Sequence, residues 1–97
     1  MIRVEYKVTD EKEMELTMQG HSDYAEPGRD IVCAAATILA RTLAEDVDLH
    51  GKNASVDLRP GYASIRAKGD RAMEALRVVM TGFRLLEQNY PEQLRIG

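Results

Sequence analysis

The sequence predicts an α+β fold: one antiparallel sheet of two β-hairpins covered by two helices, in the order ββαββα. Three observations point there. Two early stretches alternate apolar and polar residues and are separated by a short polar turn. A second pair of short alternating stretches flanks the turn Arg59-Pro60-Gly61. Each pair is followed by a long run with apolar residues at helical spacing. Neither hairpin would be stable alone, so the helices must cover the sheet. The order of the strands within the sheet is not written in these patterns.

Ile2, Val4, Tyr6 and Val8 alternate with Arg3, Glu5 and Lys7, as in a strand with one face in the core. Thr9 to Lys12 is turn-like, and Met14, Leu16 and Met18 alternate in a second strand that Gly20 ends. Ser22 to Arg29 has no period and is punctuated by Pro27-Gly28. Asp30 then has the chemistry of an N-cap, a short acceptor side chain before an apolar helical run. In that run Ile31, Ala35, Ile38, Leu39 and Thr42 share one face, and Val32, Ala36, Ala40 and Leu43 a neighbouring one. The wet side is Arg41, Glu45 and Asp46, so the helix is expected to be buried on more than one side. Its alanines would permit close approach of another backbone or another subunit. His50 to Asn53 reads as a loop, Ser55 to Leu58 as a strand, and Tyr62 to Ala67 as its return. Asp70 is expected to cap a second, amphipathic helix with Met73, Leu76, Val79, Met80, Phe83 and Leu86 on one face. Asn89-Tyr90-Pro91 stops it, and Gln93 to Ile96 forms a short extended tail.

Ninety-seven residues predict one domain, 1–97, which at this size buries somewhat over ~60% of its unfolded surface. The net charge of −3 argues against direct nucleic-acid binding and slightly favours a basic partner. One cysteine cannot form an internal disulfide; with no apolar leader segment, this points to a reducing compartment, the cytoplasm. No apolar run approaches the ~18 residues of a membrane helix. One Cys and two His at these spacings do not match a zinc pattern, and no metal or cofactor is expected.

The chemistry concentrates in Gly20 to Thr37, GHSDYAEPGRDIVCAAAT. With Asp30 as N-cap, Cys33 falls in the first helical turn, where unpaired N–H groups and the positive helix end favour a negative charge. The thiolate is the nucleophilic form. The N–H groups of Cys33 and Ala34 are candidates for an oxyanion hole. His21, at the end of a strand, is placed to take the thiol proton and return it to a leaving amine. Asp30 and Asp23 are the candidates for orienting the imidazole. Asp30 has a cost, since a carboxylate near a thiolate opposes its formation. The loop Ser22, Asp23, Tyr24, Ala25, Glu26, Pro27, Gly28, Arg29 is expected to be a mobile segment over the site; its plain alternative is a rigid turn held by Pro27. Each residue also has a plain reading: Cys33 as a small core residue, His21 as a loop residue, Asp30 as a cap only. His50 has no chemistry near it in the sequence.

The same stretch resembles the signature of the ribosomal-processing cysteine protease (Prp) family, roughly G-H-A, a short loop, then G-x-D-I-V-C-A-x-V-S. Gly20-His21 matches its start, and Gly28, Asp30, Ile31, Val32, Cys33 and Ala34 match its second half. The preceding hairpin and a long C-terminal helix ending in Tyr90-Pro91 are also family-like. The sequence departs at Ser22 for alanine, Ala36 for valine and Thr37 for serine; Thr37 keeps a hydroxyl. The resemblance implies a small, cytoplasmic α+β homodimer with Cys33 as nucleophile and His21 as base. It implies a partner, a large-subunit ribosomal protein precursor whose N-terminal extension is removed. Related proteins in phages and prophages leave open a different substrate. Two further readings compete: a non-catalytic dimeric binding module, and a redox sensor using Cys33 alone.

Overall fold

The computed structural model describes residues 1–26 and 28–97. Strands β1 (Ile2–Val8) and β2 (Glu13–Gln19) precede helix α1 (Ile31–His50). Strands β3 (Lys52–Arg59) and β4 (Tyr62–Lys68) precede helix α2 (Asp70–Asn89), and a short β5 (Leu94–Ile96) closes the order. This is the expected α+β arrangement of two hairpins and two helices. The five strands lie in the order β3-β4-β2-β1-β5, with β5 parallel to β1 and all other pairs antiparallel. The two hairpins therefore meet along β2 and β4, where Leu16 faces Ile65 and Gln19 faces Tyr62.

Period-2 alternation puts Ile2, Val4, Met14, Leu16, Met18, Ala63, Ile65 and Ala67 on one face, and all are buried. The helices cover that face with Ala36, Ala40, Leu43 and Val47 from α1 and Ala72, Leu76, Val79, Met80 and Phe83 from α2. Burying a side chain the size of Leu, Ile or Phe contributes about 1.5–3 kcal/mol, so this face holds the fold together. The other face is charged and open, laced by ion pairs such as Lys7–Glu15 and Arg66–Glu15.

Several expectations are corrected. The face of α1 bearing Val32, Ala36, Ala40 and Leu43 is buried; of the other apolar face, Leu39 packs against the core beside Gly82 of α2, while Ile31 and Ile38 are exposed. The alanines Ala36, Ala40 and Ala44 are buried in the core, where their small side chains permit the close approach of another backbone. His50 ends α1, and Gly51 closes it with an N–H donated to the Val47 carbonyl at 2.8 Å. The strand expected at Ser55–Leu58 starts earlier, at Lys52, with an irregular register between Lys52 and Ser55. As the edge of the sheet, with every residue exposed, β3 has no burial alternation to mark its length. Gly69, not Asp70, is the N-cap of α2, and Asp70 pairs with Lys12 Nζ at 2.7 Å. The tail is a true strand: Leu94 is buried and β5 pairs with residues 2–4. Because β5 reaches no further along β1, the flanks of Tyr6 and Val8 stay open and both are exposed.

Candidate active site

At the end of β2, Gly20 turns the chain at φ 101° and donates its N–H to the Gly61 carbonyl at 2.9 Å. A Cβ on Gly20 would stand 2.2 Å from the Met1 carbonyl oxygen, so only glycine fits this crossing. The next residue, His21, is thereby delivered onto the β3–β4 turn. A Cβ on Gly61 would lie 2.8 Å from His21 Nε2 and 3.0 Å from its Cε1.

Cys33 arrives from the other side, on the first turn of α1. Asp30 is extended at φ −83° and ψ 96°, and its Oδ1 accepts the Cys33 N–H at 2.8 Å. Its backbone carbonyl accepts the Ala34 N–H at 3.1 Å. The expected cap is therefore present, with Cys33 at the third helical position and half-buried. The Cys33 and Ala34 N–H groups, the candidates for an oxyanion hole, are both engaged by Asp30.

His21 and Cys33 line the same two cavities. The larger, about 520 Å³, has a floor of Ile2, Met18, Ala40 and Ala63. Its walls are Thr37 and Arg41 of α1 and the turn from Leu58 to Tyr62. The smaller, about 430 Å³, lies on the loop side with Asp23, Ala25, Gly28, Asp30 and Ala34. The thiol and imidazole thus stand where two hollows meet. Among the described residues, no hydrogen bond joins Cys33 to His21, or His21 to Asp30 or Asp23.

The two aspartates have other partners. Asp23 lies 3.8 Å from the amino-terminal nitrogen of Met1. Asp30 gathers the loop: its Oδ2 accepts from the buried Ser22 hydroxyl and from the N–H groups of Tyr24 at 3.1 Å and Ala25 at 3.4 Å. Partial burial works against the Asp30 charge. The hydrogen bonds from Ser22, Cys33, Ala25 and Tyr24 outweigh it and hold the carboxyl below its ordinary value. The loop is further tied by an Arg29 N–H donated to Glu26 and by Tyr24 packed edge-to-face on Tyr90, with ring centroids 5.4 Å apart. The loop expected to be a mobile segment thus has polar and aromatic anchors; Pro27, which its plain alternative invokes, lies outside the described residues.

His50 sits at the far end of α1 and lines neither cavity. Among the described residues, no three His, Cys, Asp or Glu side chains cluster as a metal ion would require. The sequence reading missed the wall from Leu58 to Tyr62, where Arg59 lies 4.5 Å over the Tyr62 ring. It also missed Arg41. Arg41 was within reach of pattern reasoning, because Cys33, Thr37 and Arg41 follow at i, i+4 and i+8 along one helix row. The turn was not, because its place beside His21 depends on strand order.

The chain's nearly full length, residues 1–95, matches the family model described as Cysteine protease Prp. A ribosomal processing cysteine protease Prp from Staphylococcus aureus is 31% identical over 104 residues, covering 100% of this chain and 98% of the relative. A crystal structure of the essential ribosomal processing protease Prp from S. aureus, in complex with a covalently linked product peptide, superposes with a TM-score of 0.88 at 28% identity. That match covers 100% of this chain and 98% of the other. The S. aureus protease in complex with a substrate peptide gives a TM-score of 0.79 at 26% identity, with the same coverage.

Proposed function

The chain belongs to the cysteine protease Prp family and is a cysteine protease; on that premise we propose that Cys33 is its nucleophile and His21 its general base. One observation carries the assignment: the chain's only cysteine and the histidine backed by Gly61 line the same two cavities. In the proposed reaction His21 takes the Cys33 proton, and Sγ attacks the carbonyl carbon of the scissile bond. The C–N bond breaks, the amine leaves with the proton from His21, and an acyl thioester remains on Cys33. Water, deprotonated by His21, then attacks the thioester; the carboxylic acid departs and the thiol is regenerated. A product peptide held covalently, as in the S. aureus protease, is what a nucleophilic route can leave behind.

The positive end of α1 supports charge on the sulfur and on the developing oxyanion. Of the two N–H groups engaged by Asp30, that of Cys33 is the one a substrate carbonyl can win. Its partner is a side chain, whereas the Ala34 bond belongs to the helix. The substrate is an extended peptide crossing the Cys33–His21 pair, with one part in each cavity. The relative is a ribosomal processing protease, and the resemblance of Gly20 to Thr37 to the family signature names the substrate as the N-terminal extension of a large-subunit ribosomal protein precursor. The protein acts as a homodimer in the cytoplasm. Exposed Ile31, Ile38 and Leu49 on α1 offer apolar surface for a second copy. Among the described residues, no helix is long and apolar enough to cross a membrane.

Mass spectrometry of an extended ribosomal protein after incubation with this protein tests the reading. Loss of the extension is expected with the wild-type protein and not with Cys33→Ser. An unchanged mass with wild type would remove that substrate.

A further inference from the structure

We infer that Gly61 is a positioning residue for the His21 imidazole, through the absence of a side chain on the β3–β4 turn. The inference rests on the Cys33–His21 reading above and adds a part of the chain that lies outside the motif. His21 follows a strand end and is exposed, so its own backbone leaves several ring orientations open. The turn removes part of that freedom. The far edge of the imidazole lies against Gly61, at the place a Cβ would occupy, 2.8 Å from Nε2 and 3.0 Å from Cε1. Real Cβ atoms do not approach so closely, so any side chain at 61 must displace the ring or move the turn. The turn is the harder of the two to move. Gly61 holds φ 71°, its carbonyl accepts the Gly20 N–H at 2.9 Å, and Tyr62 and Arg59 on either side are paired across the strands. The imidazole is the end of a flexible side chain and will rotate. A Cβ at 61 therefore costs ring placement more than fold.

That division makes the inference testable without a known substrate. The probe is alkylation of Cys33 by iodoacetamide across pH, together with NMR of the His21 ring protons. Wild type is expected to show a nuclear Overhauser contact between the His21 ring and the Gly61 α-protons. Gly61→Ala should alkylate with the pH profile of His21→Ala, at a rate within a few-fold of that variant. Gly61→Asn is the second variant, because asparagine tolerates positive φ and leaves mainly the Cβ clash. Gly69→Ala is the strain control. Gly69 holds φ 103° far from the cavities, where a Cβ would meet only the Lys52 side chain at 3.8 Å. It should lose stability yet keep the wild-type alkylation profile. If the Gly61 variants keep the wild-type profile, or wild type lacks the ring contact, Gly61 does not position His21. If His21→Ala alkylates like wild type, the Cys33–His21 reading itself falls, and the ring contact alone then decides whether Gly61 backs the imidazole.

Discussion

Removing the Asp30 carboxylate deletes hydrogen bonds to Ser22, Tyr24, Ala25 and Cys33, drawn from both a loop and a helix. Loss of an N-cap alone costs about 0.5–2 kcal/mol. A change of that size lowers the midpoint of thermal unfolding by roughly 4–8 °C per kcal/mol for a chain this small. Asp30→Ala should show at least the lower figure by calorimetry, and Asp30→Asn, which still caps, a smaller loss. The charge adds a pH dependence. The Asp30 carboxyl titrates lower in the folded chain than in the unfolded one. Its contribution is therefore complete above the unfolded carboxyl range and lost as pH falls through the folded value. The stability gap between wild type and Asp30→Asn should close on acidification below about pH 4; a gap that is constant down to pH 2 would contradict the assignment. At the proposed reacting pair, Cys33→Ser should fold and lose nearly all cleavage. His21→Ala should lose about 10²–10⁴-fold, the usual worth of a general base. Comparable turnover in either variant would remove that residue from the mechanism. Sequence reasoning placed the cap because Asp30 precedes an apolar helical run. It could not place the orienting group: both aspartates are close to His21 in sequence, but their carboxylates are engaged elsewhere.

Among the elements, the loop between β2 and α1 has no apolar period, and its anchors are of a kind that periodicity does not register. Asp30 gathers its backbone amides, and Tyr24 reaches a ring that lies sixty-odd residues further along the chain. Edge-to-face aromatic pairs are worth about 0.5–1.5 kcal/mol, enough to bias a short loop. Tyr24→Ala should speed hydrogen exchange at the amides of residues 23 to 26 while leaving the α1 interior unchanged. Unaltered exchange would mean that the Asp30 bonds suffice. Both faces of α1 are visible as apolar, but the sequence does not say how far each is covered: Leu39 meets α2 at Gly82, while Ile31 and Ile38 on the same face stay exposed. β3 shows the converse: as an exposed edge strand it has alternation without burial, and its true start was hidden.

At the scale of the molecule, the fold class and the order of elements were legible because each hairpin and helix has its own period. The sheet order β3-β4-β2-β1-β5 was not, because strand neighbours are a tertiary choice. One wall of the larger cavity depends on that choice, through the β3–β4 turn. The proposed homodimer is likewise a matter of the whole surface. Light scattering at micromolar concentration should return about twice 10.9 kDa, and a mass near 10.9 kDa would contradict it. Ile38→Asp, at an exposed position on α1, should favour the monomer without unfolding it. The parallel seam of β1 with β5 has a consequence in time. A chain made from its amino end exposes Ile2 to Val8 early, but Ile2 must wait for the carbonyl of Gln93 and for Leu94 beside it. Pairings this distant along the chain form slowly. Ile2 is also part of the floor of the larger cavity. During translation Cys33, the proposed nucleophile, is therefore made before the floor of its groove is secured, and the groove is completed only when the late-synthesised β5 docks.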